Sequence, residues 1–120
     1  MLDFSALKVQ RASENLPAAY RQWQARLART PWIALGSVLE RNQPGQGGPR
    51  YQWTRRVGPK TVTVALSAEQ FAWLKTAIAN QREGGAILRR MQQLSLRYLW
   101  KNVPGTSRRK PLSKKTLGLN

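Results

Sequence analysis

Apolar and polar positions alternate with two different periods along the chain, and the switches between them mark out its elements. From Asn15 onward, Leu16, Tyr20, Trp23 and Leu27 recur at i, i+4, i+7 and i+11, one stripe of an α-helix. Pro17 suits the first turn of that helix, where its missing N–H has no intrahelical partner anyway. Thr30-Pro31 ends it, because proline drives the preceding residue out of the α region. Trp32 to Arg41 then reads as a strand rich in aliphatic residues, with Gly36 inside it marking a bulge or a close backbone approach. The loop from Asn42 to Pro49 contains only Asn, Gln, Gly and Pro. It lacks the phosphate-cradling G-x-x-x-x-G-K-[ST] pattern, so it reads as a β–β connection.

From Arg50 to Leu66 the period becomes two. A turn at Gly58-Pro59 sets Val57 opposite Lys60, Trp53 opposite Val64 and Tyr51 opposite Leu66, which gives a hairpin with one apolar face. Gln52, Thr54, Arg56, Thr61, Thr63 and Ala65 take the other face. Trp53 is therefore expected to be structural and Arg56 functional. Ser67 and Gln70 then form a capping box that opens a second helix, whose first apolar stripe is Phe71, Leu74 and Ile78. A later set, Ile87, Leu88, Met91, Leu94, Tyr98 and Leu99, is centred roughly 130° around the axis at 100° per residue. Gly84-Gly85 lies between the two sets. The expectation is a kink or break at the glycines, or a long helix whose far half binds something else.

Together these elements predict an α+β protein: an N-terminal helix, a three-stranded antiparallel meander, a long or kinked C-terminal helix on the sheet's apolar face, and a basic disordered tail. Residues 1–12, with weak periodicity in Leu2, Phe4, Leu7 and Val9, are expected as an arm or frayed start. Residues 13–101 form the domain, and 102–120 the tail, which has no acid and no periodicity.

Charge changes the picture from a fold to a partner. Among 120 residues, 21 are Lys or Arg and 5 are Asp or Glu, a formal net charge of +16. So much self-repulsion in one small domain points to a polyanion, and nucleic acid is the expected ligand. There is no cysteine and no histidine, which removes disulfides, thiolate metal sites and the usual neutral-pH acid or base. Asp3, Glu14, Glu40, Glu69 and Glu83 are widely separated, without the convergent carboxylates of a two-metal nuclease or a glycosidase. A non-catalytic protein without cofactor or metal is expected. No run approaches the ~18 apolar residues of a membrane span. The start Met-Leu-Asp-Phe-Ser lacks the cationic and apolar regions of a secretory signal, so the expected compartment is the cytoplasm and no membrane partner is expected.

The phosphate-binding candidates fall in four groups. Arg21, Arg26 and Arg29 lie opposite the apolar stripe of the first helix; Arg50, Thr54, Arg56, Lys60 and Thr63 belong to the hairpin. Arg89, Arg90, Arg97 and Lys101 stand among Tyr98 and Trp100 in the far half of the second helix, and Arg108, Arg109, Lys110, Lys114 and Lys115 stand in the tail. Arginine and lysine neutralise phosphates, threonine hydroxyls fix register, and exposed aromatics stack on unpaired bases. Whether the ligand is DNA or structured RNA stays open at this level. The stripe Ile87, Leu88, Met91, Leu94 and Tyr98 is a candidate interface, whose partner is the first helix, a second copy or a larger enzyme. The competing functional readings are an adaptor that docks on such an enzyme through this stripe and a ribosomal-type RNA assembly protein.

Four short pieces also occur in a defined order: Gly36-Ser37-Val38-Leu39-Glu40-Arg41, Gly48-Pro49-Arg50-Tyr51, Arg56-Val57-Gly58-Pro59-Lys60-Thr61 and Glu69-Gln70. In these pieces and their spacing, over about residues 16 to 95, the chain resembles a family of small basic proteins encoded beside bacterial transposases and other mobile-element genes. Members of that family often carry three cysteines in the loop after Arg41, a set that would suit zinc. This chain has none there, so no metal role follows from the resemblance. What the resemblance implies is context: a small accessory subunit of a mobile-element or similar nucleoprotein assembly.

Overall fold

The computed structural model describes residues 16–41, 48–107 and 110–120. Its elements are α1 (Ala18–Ala28), β1 (Ser37–Glu40), β2 (Tyr51–Val57), β3 (Lys60–Leu66) and α2 (Ala68–Asn102). The fold is α+β, with one antiparallel sheet in the order β1-β2-β3. Where a single domain over 13–101 is expected, the chain divides into two compact units. One holds the described residues up to Arg29 and those from Ile87 onward; the other holds those from Thr30 to Ala86. Among the described residues, no helix is long and apolar enough to cross a membrane.

In the sheet unit the hairpin has the register read from the sequence: Val57 pairs with Lys60, Trp53 with Val64 and Tyr51 with Leu66. Gly58 has φ +60° and no other hairpin residue has a positive φ, the pattern of a type II′ turn whose twist matches the flanking strands. β1 adds Val38 opposite Trp53 and Glu40 opposite Tyr51. Beyond the strand end, the Arg41 N–H donates to the Arg50 carbonyl at 2.7 Å, and the Arg50 guanidinium reaches Glu40 at 3.3 Å. Among the described residues the sheet has three strands, and β3 has one paired side and one edge without a strand partner.

The strand expected over Trp32 to Arg41 is shorter than predicted and runs only from Ser37. Gly36 is the cause. Its φ is +103°, and a Cβ there would stand 2.6 Å from both the Thr54 carbonyl oxygen and the Trp53 indole nitrogen. The chain upstream satisfies its backbone groups elsewhere. The Ala34 N–H donates to the Ala77 carbonyl at 3.2 Å, Asn80 Nδ2 to the Trp32 carbonyl at 3.0 Å, and Trp53 Nε1 to the Leu35 carbonyl at 2.9 Å. A strand partner is replaced by a helix and an indole.

α2 starts on the expected capping box: the Gln70 N–H donates to Ser67 Oγ at 3.1 Å and the Ser67 N–H to Gln70 Oε1 at 3.0 Å. Phe71 lies on Tyr51 with ring centroids 4.9 Å apart, and Ala77 and Ile78 are buried. The helix then runs through Gly84-Gly85 without interruption, 35 residues in all. Of the expected alternatives, the long helix is the one found. Each glycine costs ~1 kcal/mol in a helix interior, but Gly84 is buried within the stretch that also buries Ala77, Ile78 and Ile87, where packing outweighs propensity.

In the helical unit, Leu16, Tyr20, Trp23 and Leu27 are the half-buried positions of α1 and its approach, and every other residue of α1 is exposed. Pro17 stands at the N-cap, and its carbonyl accepts from the Arg21 N–H at 3.0 Å. The tail departs from the disordered segment expected. Residues 113–119 form one turn capped at both ends. Ser113 Oγ accepts from the Thr116 N–H at 3.2 Å. Gly118, at φ +77°, closes a Schellman pair, with the Leu119 N–H on the Lys114 carbonyl at 2.8 Å and the Gly118 N–H on the Lys115 carbonyl at 3.2 Å. The turn is bound to α2: Trp100 Nε1 donates to the Leu117 carbonyl at 3.0 Å, Gln93 Nε2 to the Gly118 carbonyl at 2.8 Å, and the Asn120 N–H to Gln93 Oε1 at 3.0 Å. Leu117 and Leu119 are half-buried.

Candidate nucleic-acid interface

Charge is distributed unevenly between the units. Residues 16–29 contain three arginines and residues 87–120 nine lysines or arginines, with no Asp or Glu in either segment. Residues 30–86 hold seven basic residues together with Glu40, Glu69 and Glu83. The helical unit is thus the stronger source of positive potential.

Within it, α1 presents Trp23 to two guanidiniums. Arg90 lies over the indole at 4.4 Å from the ring centroid, and Arg26 at 5.6 Å. A guanidinium stacked by its flat face keeps its N–H groups at the rim, where they match the spacing of phosphate oxygens. Arg90, Arg97 and Lys101 fall within about 40° of one another around α2 at 100° per residue, so the stacked arginine opens a basic stripe more than two turns long. All three side chains are exposed. Arg89 shares a different sector with Leu96 and Trp100, the side on which the C-terminal turn docks. That turn brings exposed Lys114 and Lys115 into the same unit, and Lys110 before it is exposed as well. Arg21, Arg26 and Arg29 are exposed on α1. Arg108 and Arg109 lie outside the described residues.

The hairpin candidates are less uniform. Arg56, Lys60 and Thr63 are exposed. Thr54 is half-buried, and its hydroxyl is bonded to that of Thr63 at 3.2 Å, which leaves the pair one O–H to donate outward. Arg50 is 65% exposed but engaged with Glu40 and lies 5.4 Å from the Tyr51 ring. A surface pair of this kind is worth only ~0–1 kcal/mol, so a phosphate competes for that guanidinium on even terms. Trp53 is half-buried in the apolar row between Val38 and Val64, as its structural role requires.

Of the interface candidates, Ile87 is 1% exposed and belongs to the protein's own core, which removes it from any docking surface. Met91, Leu94 and Tyr98 are half-buried, and Leu88 is 47% exposed. Tyr20 lines a shallow groove of about 370 Å³ with Leu88 and Met91, so α1 is the intramolecular neighbour of this stripe.

Two groups escaped sequence reasoning. Arg55, on the apolar face of β2, lies 4.8 Å from the Trp53 ring centroid; the i, i+2 spacing of Trp53 and Arg55 was the available signal. Trp32 and Trp73, 41 positions apart, come together with ring centroids 6.3 Å apart at 42°, a pairing that no local pattern announces.

Compared with models of protein families, with curated proteins and with solved structures, the chain finds no match in any of the three.

Proposed function

We propose that this protein is a non-catalytic nucleic-acid-binding protein, a small accessory subunit of a nucleoprotein assembly, which grips the phosphate backbone chiefly through its helical unit. The observation that carries this reading is Arg90 stacked on Trp23 at the head of the Arg90, Arg97 and Lys101 stripe, in segments without a single acid. Preordered guanidiniums lose less side-chain freedom on meeting a phosphate, and the excess of positive charge in residues 16–29 and 87–120 favours an anionic ligand. The hairpin's Arg56 and Lys60 extend the contact on the sheet unit.

The test is fluorescence anisotropy with labelled duplex and single-stranded oligonucleotides over a salt series. The wild type should bind with log K falling linearly in log salt. Replacing Arg90, Arg97 and Lys101 together by glutamine should lower affinity for all sequences alike and flatten the slope by ~0.9 for each duplex phosphate contact removed. Unchanged far-UV circular dichroism would certify the fold. No binding at low salt, or an identical slope in the triple variant, refutes the proposal.

A further inference from the structure

We infer that the sheet unit carries a stacking site for an unpaired base along residues 32–36, so that the ligand includes a single-stranded segment. This deepens the nucleic-acid reading and rests on it. The segment exposes apolar surface in a way a folded chain has no use for: Trp32 is 75% exposed, Leu35 69% and Ile33 56%, and Trp73 beside Trp32 is 51% exposed. Scattered apolar residues on a surface mean little, but a contiguous group marks a binding site.

The group is also held rigid. The Trp32 carbonyl is fixed by Asn80, the Ala34 N–H by Ala77 and the Leu35 carbonyl by the Trp53 indole. Gly36 seats the segment against β2. Along it runs a groove of about 740 Å³ lined by Ile33, Leu35, Trp53, Arg55, Arg56 and Gln81, with no acid in its lining. Arg55 lies over the Trp53 ring at 4.8 Å from its centroid, as Arg90 lies over Trp23 at 4.4 Å.

The combination selects the ligand. The exposed Trp32 and Trp73 rings, outside the groove's lining, take a nucleobase; in the groove Arg55, on the Trp53 face of β2, takes a phosphate of the same strand, and the Gln81 amide supplies donor and acceptor groups suited to a base edge. An acidic peptide would use the arginines but has no need of open indole faces. A paired base keeps both of its faces inside the duplex stack, which is why the site requires an unpaired one.

The experiment uses the full chain with an eight-nucleotide oligouridine, a duplex of equal length, and an oligouridine with one 5-iodouridine for photo-crosslinking. Trp32→Ala removes an exposed ring and leaves the hydrogen-bonded backbone in place. It should weaken oligouridine binding about fivefold to a hundredfold, the range for loss of one stacked base, with duplex affinity unchanged. The crosslink should map to Trp32 or Trp73. Arg90→Gln should weaken both ligands. Oligouridine binding that is unchanged in Trp32→Ala, or a crosslink confined to the helical unit, overturns the stacking site and leaves the phosphate grip intact; the patch then belongs to a protein segment. Wild-type binding to the duplex alone has the same consequence. No binding of the wild type to either ligand at low salt brings down both readings.

Discussion

Replacing Gly36 by alanine tests how the segment before β1 is held to the sheet. Three costs arise there. A non-glycine residue at φ +103° is strained by ~1–3 kcal/mol. The new Cβ would lie 2.6 Å from Thr54 O, which is backbone within the β1–β2 ladder and cannot swing aside as a flexible side chain would. It would also lie 2.6 Å from Trp53 Nε1, forcing the indole off the Leu35 carbonyl at a further cost of ~1 kcal/mol. Strain and the lost hydrogen bond together come to about 2–4 kcal/mol, to which the backbone clash adds, a large share of what a small unit has in total. Gly58→Ala is the matched control. Its φ is +60°, but nothing lies within 4 Å of an added Cβ, so only strain of ~1–2 kcal/mol remains. Urea unfolding, followed by tryptophan fluorescence and by far-UV circular dichroism, gives both values. If Gly36→Ala costs no more than Gly58→Ala, the close approach described here does not hold the segment.

Ser67→Ala removes one half of the capping box and should cost ~1 kcal/mol in the same assay, with Ser67→Thr nearly neutral. Gly118→Ala places a Cβ 3.0 Å from Leu96 Cδ1 at φ +77° and should loosen the C-terminal turn. Faster hydrogen exchange at Leu117 and Leu119, with little change in the melting of the sheet unit, is the expected result; equal protection in both proteins would refute it.

Where local chemistry decides structure, the sequence was legible. A Gly-Pro pair flanked by alternating residues fixes a hairpin register, and a serine three residues before a glutamine marks a helix start; both are present. The errors came where tertiary contacts override local preference. Trp32 to Leu35 has strand composition, yet its backbone groups bond to Ala77, Asn80 and Trp53, residues 18 to 48 positions away. Gly84-Gly85 left a break and a long helix both open, because intrinsic propensity alone does not register the burial of Gly84. In the tail, Ser113 and Gly118 bracket a turn as N-cap and C-cap residues, a signal outweighed by the surrounding lysines and arginines. At the candidate site, the stripe Arg90, Arg97 and Lys101 was readable from helical spacing, whereas its stacking partner Trp23, 67 positions upstream, was not.

The open edge of β3 gives the charge of this protein a second meaning. Lys60 to Leu66 is a seven-residue strand without proline or bulge, alternating threonine and valine, and one of its sides has no strand partner among the described residues, so its N–H and C=O groups can meet a strand that approaches. Two copies carrying +16 each repel one another, and that repulsion protects the edge. A bound polyanion cancels the repulsion while drawing several copies onto one strand at high local concentration. The same ligand that neutralises the protein therefore exposes it to edge-to-edge pairing, and solubility should pass through a minimum near charge balance and recover when either component is in excess.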